Sequence, residues 1–317
     1  MKPDRDLRKL VLKLCLCLVP LLLYAGVSYS IDTFNVFHYD HIRFTKAEPN
    51  KNYIKTRYVT EHPERFNAFV FGSSRVANLP REGLPDAAGD GTALSWYNMT
   101  YPMGCPIEHL QTLRTFLAAG VGVRMIVMGI DEISMYQTLD GAKDPIRRSY
   151  QEYEKNPLRF FYSYLVMKPE WELLPAVMFE QNTVDAIRNR KLFYDYGVDV
   201  RNTDLTVPEE PVPMASSLGC GEYNPETQAI ESIAEIVRLC EENDIELTIF
   251  SSPVLQSTYE EAVEKGYLEF LGDVAGITEF HNFSGLNEYT TDYRYYFDAS
   301  HYRPYVGLQM EKVMFGE

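Results

Sequence analysis

The hydrophobic pattern divides the chain into an apolar head, a polar and aromatic neck, and a long body in which short apolar runs alternate with helical periodicity. Leu10 to Tyr29 form twenty positions carrying one charge. A helix of that length rises roughly 30 Å, the thickness of a bilayer's hydrocarbon core. The one charge, Lys13, lies near the inner end, where its stem can carry the ammonium back to the headgroups. Lys2, Arg5, Arg8, Lys9 and Lys13 cluster before or at the start of the run, and basic residues beside a span stay on the cytoplasmic side. Residues 1–30 are therefore predicted as a cytoplasmic basic tail and single-pass membrane anchor, with the C-terminal bulk extracytoplasmic. A cleaved signal peptide is the competing reading, since Ala25, Gly26, Ser28 and Ser30 suit a signal peptidase. Against it, the run exceeds the usual signal-peptide core and no A-x-A follows.

Residues 31–65 show no clear period and read as a juxtamembrane stalk. From residue 66 to 317 the pattern predicts one α/β domain. FNAFVFG, TALSWYNM, VRMIVMGID, IELTIFSSP and ITEFHNF are short apolar runs closed by turn residues, the pattern of buried parallel strands. Between them PIEHLQTLRTFLAAG ends in Gly120 as a helix C-cap would, and NPETQAIESIAEIVRLCEEND carries an apolar stripe opposite an acidic face. Strand alternating with helix implies a parallel sheet covered on both faces, with ligands beyond the strands' carboxyl ends. The alternation fails over 134–225, which reads as a helical, aromatic insertion over that edge.

Composition narrows the partners. Setting aside residues 1–13, with five Lys/Arg and two Asp, leaves 25 basic against 43 acidic residues, a net −18. Such an exterior excludes nucleic acid and disfavours electrostatic docking on anionic surfaces. Cys15 and Cys17 fall in the apolar run; of Cys105, Cys220 and Cys240, the first two are the expected pair if a disulfide forms. No Cys/His spacing resembles a zinc site, and His38-x-x-His41 lacks a third ligand, so neither metal nor cofactor is expected.

Two segments carry candidate chemistry. Gly72-Ser73-Ser74-Arg75 follows the first strand, where a hydroxyl on a strand-to-helix turn faces the ligand edge and helix N–H groups can stabilise an oxyanion. Asp298-Ala299-Ser300-His301 precedes the last helix, and its spacing lets a carboxylate hold one imidazole nitrogen while the other faces a serine. An imidazole can serve as base and then acid near neutrality. Read separately, the serines are a turn and helix cap, a common use of the residue.

FVFGSSR and FDASHY resemble the first and last sequence blocks of the SGNH (GDSL-like) hydrolase superfamily. The resemblance implies a three-layer flavodoxin-like fold with Ser74 as nucleophile, His301 as base and Asp298 orienting it. The anchored layout, Gly-Ser-Ser-Arg in place of Gly-Asp-Ser, and the long insertion are similar to the branch that includes the teichoic-acid D-alanylation protein and the alginate O-acetylation proteins. That branch implies a bacterial, serine-dependent O-acyltransferase or esterase acting on an envelope polysaccharide or related polymer, beside a membrane-bound O-acyltransferase. The family's third block is Gly-x-Asn-Asp, whereas this chain has Gly129-Ile130-Asp131-Glu132, and an ionised Asp131 cannot donate to an oxyanion. Asn98 and the Ser74 N–H are the candidate replacement donors, Gly104 the candidate second-block glycine, and Arg75 either a substrate contact or a partner of Asp131. A non-catalytic accessory protein that binds polymer or the acyltransferase is the alternative.

Overall fold

The computed structural model describes residues 5–139, 144–212 and 219–316. Five strands, β1 (Ala68–Phe71), β2 (Trp96–Asn98), β3 (Met125–Ile130), β4 (Glu246–Ser251) and β5 (His281–Asn282), form one sheet in the order β2-β1-β3-β4-β5. Every pairing is parallel. The helices are α1 (Arg5–Ile31), α2 (Lys51–Glu61), α3 (Pro106–Ala118), α4 (Tyr150–Lys155), α5 (Pro157–Leu165), α6 (Val184–Tyr196), α7 (Ala229–Glu242), α8 (Gln256–Glu264), α9 (Tyr267–Ala275) and α10 (Pro304–Phe315).

The central strands β1 and β3 are apolar throughout because both faces of the sheet are covered there. Successive side chains point to opposite faces. Phe69, Phe71, Ile126, Met128 and Ile130 therefore pack with Phe116 of α3, Ile233 and Ile236 of α7 and Phe270 of α9. Ala68, Val70, Met125 and Val127 pack on the other side with Tyr196, Tyr296, Tyr302 and Met310. The chain runs outward from β1 to β2, then returns past β1 to β3, so the order reverses between β1 and β3. Crevices at such reversals, beyond the strands' carboxyl ends, are where open parallel sheets bind ligands.

Helix α1 is long and apolar enough, over Leu7–Ile31, to cross a bilayer, a property that signal sequences share. The segment 31–65 is not a free stalk. Val36, Ile42, Tyr53 and Ile54 are buried in a cluster with Phe160, Tyr164 and Phe193 of the insertion. Lys55, 1% exposed, donates from Nζ to the carbonyl oxygens of Asn98 (2.9 Å) and Thr100 (2.5 Å). Polar residues in α2 are thus spent on buried hydrogen bonds, which is why no apolar stripe marks the helix.

Within the insertion, the sequence around 170–197 predicts one long helix, but three pieces form. A 3-10 turn at Trp171–Leu173 and a π turn at Ala176–Glu180 flank Pro175, and α6 starts afresh at Thr183, whose hydroxyl caps Ala186 N–H at 3.3 Å. Proline removes a helix hydrogen bond and clashes with the preceding turn. Helix α6 ends at Gly197, left-handed at φ +85° and packed so closely on the Asn98 backbone that no Cβ would fit. The expected Cys105–Cys220 bridge does not form; both are free, with Cys105 Sγ 3.4 Å from the Glu108 carboxylate.

Glu311 of α10 is fully buried, and neither carboxyl oxygen has a hydrogen-bond partner among the described residues. Burial, with Glu82 adding and Arg81 opposing, lifts its pKa from 4.5 to about 9. The folded state therefore holds a proton that the unfolded chain releases above its lower pKa, and this group's contribution to stability falls as pH rises from about 5 to about 9. In Glu311→Gln this decline is expected to vanish. Thermal melts of the detergent-solubilised chain at pH 5.5 and 8 should show a smaller difference in the variant than in the wild type.

Candidate functional site

The site lies beyond β1 and β3, at the reversal of strand order. Gly72 ends β1 at φ +154°, and a Cβ there would sit 2.5 Å from a Val76 methyl. A larger residue would force the turn away from the sheet edge. Ser73 and Ser74 follow, their carbonyls accepting from Val76 N–H (3.1 Å) and Ala77 N–H (3.3 Å). Only a short 3-10 turn, Val76–Asn78, succeeds them where the sequence predicts a helix. The donors here are individual N–H groups with little helix dipole behind them.

The two serines have different fates. Ser73, 1% exposed, donates to Asp131 Oδ2 at 2.5 Å. Ser74 is half-buried and its Oγ lies 2.9 Å from His301 Nε2. His301 Nδ1 is 2.9 Å from both Asp298 oxygens. Because a carboxylate only accepts, Nδ1 carries the proton and Nε2 presents its lone pair to the Ser74 hydroxyl. Asp298 also accepts the N–H groups of Ser300 and His301, each at 2.9 Å. Burial pushes this carboxyl's pKa up, but the His301 contact and the two N–H bonds outweigh it and hold the value at about 2. The predicted relay Ser74, His301, Asp298 is thus assembled across 227 positions of sequence.

Two buried tyrosines hold the Asp–His turn. Tyr296 and Tyr302, both 0% exposed, pack in the core below the sheet and face each other as a bridge. Phe297 N–H donates to His301 O at 2.8 Å, and Thr258 Oγ1 donates to Ala299 O at 2.8 Å. The turn is therefore fixed before any ligand arrives.

The remaining predicted residues lie behind the turn. Arg75 is 4% exposed; Nη1 is 3.4 Å from Asp131 Oδ2 and Nη2 pairs with Glu132, so it binds carboxylates of its own chain and not a substrate anion. Asp131 also accepts the N–H groups of Ile133 (3.0 Å) and Ser134 (3.3 Å). Burial, reinforced by Asp131 and opposed by Arg75, raises the pKa of Glu132. Asn98 is fully buried beneath Gly197, its Oδ1 accepting from Thr100 N–H (3.0 Å) and Oγ1 (2.5 Å). Gly104 packs on the turn, where a Cβ would sit 2.8 Å from Gly72 O, but its N–H is bound to Tyr101 O at 3.2 Å. Of the expected donors only the Ser74 N–H lies at the Ser74–His301 pair itself, next to the Arg75 N–H already taken by Ser73 Oγ at 3.3 Å. His38, from the sequence pair with His41, is bound through Nδ1 to Asp32 at 2.9 Å.

Some supporting residues carried no sequence signal. Lys55 holds the loop after β2 from a helix forty-three positions earlier. Arg147, from the insertion, binds Glu108 of α3 at 2.9 Å and Gln137 at 2.9 Å, bracing the loop that carries Gly104. Beside it His109 stacks on Phe71 with ring centroids 5.5 Å apart, and burial lowers its pKa to about 3, so it packs as a neutral ring.

The geometry sets a sharp contrast between adjacent serines. A fluorophosphonate is expected to label the wild type, to leave Ser74→Ala and His301→Ala unlabelled, and still to label Ser73→Ala. Asp298→Asn is expected to slow labelling by about a hundredfold or more, because the imidazole loses its orienting acceptor. Labelling rates followed on gels check all four. The site stands on this geometry by itself: no protein-family model matches the chain, and a search of curated proteins finds no match.

Proposed function

We propose that the chain is a membrane-anchored, extracytoplasmic serine acyltransferase or esterase with an SGNH-like fold, acting on an envelope polysaccharide or related polymer. The observation that carries the reading is the 2.9 Å contact of Ser74 Oγ with His301 Nε2, continued at 2.9 Å to Asp298. The strand order 2-1-3-4-5 is that of flavodoxin-like sheets and agrees with the family resemblance of the two blocks.

Ser74 Oγ attacks the acyl carbonyl carbon while His301 Nε2 takes the hydroxyl proton. Asp298 stabilises the imidazolium so formed. The Ser74 N–H donates to the developing oxyanion. As the tetrahedral intermediate collapses, the bond to the leaving alkoxide breaks and His301 returns the proton to it, leaving an ester on Ser74. A sugar hydroxyl or water then gives its proton to His301 and attacks that ester, which restores Ser74 and releases a new ester or a free acid. Neither candidate position supplies a side-chain amide to the oxyanion, because Asp131 stands at one and Asn98 is sealed under Gly197. Losing one such donor costs about 10²–10³ in rate. Attack by water and by an acceptor hydroxyl are both slowed, so binding that orders an acceptor favours transfer over hydrolysis.

That same Asp131 favours a second reading, a non-catalytic accessory protein that binds the polymer or a membrane-bound O-acyltransferase.

With p-nitrophenyl acetate the purified chain is expected to release one rapid equivalent of nitrophenol and then turn over slowly. Mass spectrometry should find the acetyl group on the Ser74 peptide, and acetylated oligosaccharide should appear when acceptor is added. A folded chain with no burst and no acetyl-Ser74 would favour the accessory reading.

A further inference from the structure

Helix α5 carries apolar residues on two faces, and only one is buried. Phe160 and Tyr164 point into the cluster shared with α2, while Leu158 (84% exposed) and Tyr162 (64%) face outward, followed by Val166 (50%) and Trp171 (58%). An open groove of about 670 Å³ runs along this face between Phe37 and Leu158, Phe161 and Leu165. Contiguous exposed apolar surface of this kind marks an interaction face.

Its position relative to α1 identifies the occupant. Tyr24 of α1 donates its hydroxyl to Val166 O (3.1 Å) and Met167 O (2.8 Å), and α1 packs directly against α5. An aromatic path continues the contact, with Tyr29 against Phe37 at 5.3 Å and Phe37 stacked on Phe161 at 5.6 Å. Tyr24 precedes the helix end at Ile31 by seven residues, so the loop at 166–167 is drawn about 10 Å back along the helix from its outer end. If α1 spans a bilayer, that loop is level with the outer headgroups. Tyrosine and tryptophan, with an apolar body and a polar tip, are the residues that settle there. The charge is suitable too: residues 156–191 carry five Lys/Arg and four Asp/Glu, almost neutral on a chain of net charge −15.

We propose that the outer face of α5, with Val166 and Trp171, is seated in the headgroup layer of the membrane, a second apolar contact beside the anchor. The inference rests on α1 being an uncleaved span. The contact fixes how the domain stands on the bilayer. The face is tied to the rest of the domain through α2, since α5 packs on Tyr53 through Phe160 at 4.7 Å and Lys55 holds the loop after β2.

The chain has two tryptophans, and only Trp171 is exposed; Trp96 is 3% exposed and bonded through its indole N–H to Pro85 O at 2.7 Å. The full chain, expressed in a bacterium, is reconstituted in phosphatidylcholine vesicles with and without lipid brominated near the carbonyl end of its acyl chains. The expected result is loss of most Trp171 emission in brominated vesicles, unchanged at high salt and absent from Trp171→Phe. Quenching by aqueous iodide without quenching by bromolipid overturns the proposal. Protection from both also overturns it, and indicates that a second copy covers the face. The reading of α1 is scored separately by mass and flotation: a chain shortened near residues 25–30 that no longer floats overturns the anchor and the proposal together, whereas an intact floating chain with unquenched Trp171 overturns only the membrane face.

Discussion

A parallel sheet covered on both faces can keep polar side chains only beyond its strand ends. Everything chemical in this domain derives from that constraint. The apolar strands β1 and β3 occupy the centre, so the first positions free to be polar after them are Ser73 and Ser74, and Asp131 and Glu132. Gly72 and Gly129 make the exit possible by leaving room for Val76, which fills the space that their side chains would need. The turn is thereby pressed against the sheet edge, and one serine hydroxyl is committed inward to Asp131 while the next is left outward for His301.

The sheet and the three relay residues were legible in the sequence because local pattern determines them. Each strand is a short apolar run ended by turn residues, and each relay residue sits in a local block whose spacing constrains its geometry. Asp298 and His301 reach each other across one turn, as the spacing requires. Contacts held by a single long-range polar bond were not legible. Lys55 has no apolar stripe around it, and its role rests on two carbonyls of another segment. The neck reads as polar for this reason, although it packs against the domain. The shortness of the helical turn after Ser74 was hidden as well, because the serines and Gly72 signal a turn without specifying the length of the next element.

Burial decides between the two alternatives for Arg75, in favour of the pairing with Asp131, and takes Asn98 out of reach at the sheet edge, for one shared physical reason. A residue type says what chemistry is available, while burial decides whether a ligand can use it. Arg75 is adjacent to the nucleophile, yet its guanidinium is enclosed with two carboxylates, and Asn98 ends a strand at the right edge but lies under the glycine that caps α6. The insertion thus acts on the site by what it covers as well as by the aromatic mass it contributes.

The buried charges behind the turn bear on the oxyanion. One guanidinium faces two carboxylates, and with both ionised the cluster would set a net negative charge behind a reaction that develops another. Such a field raises the barrier, since transition-state charge is stabilised by donors and opposed by like charge. Burial pushes the Glu132 carboxyl up against the pull of Arg75, with Asp131 adding to the rise, which eases that conflict. Asp131 cannot donate to the oxyanion, but it accepts the Ser73 hydroxyl and so sets the direction of the turn that presents the Ser74 N–H. The carboxylate at the end of β3 therefore fixes the direction of the turn that carries Ser74.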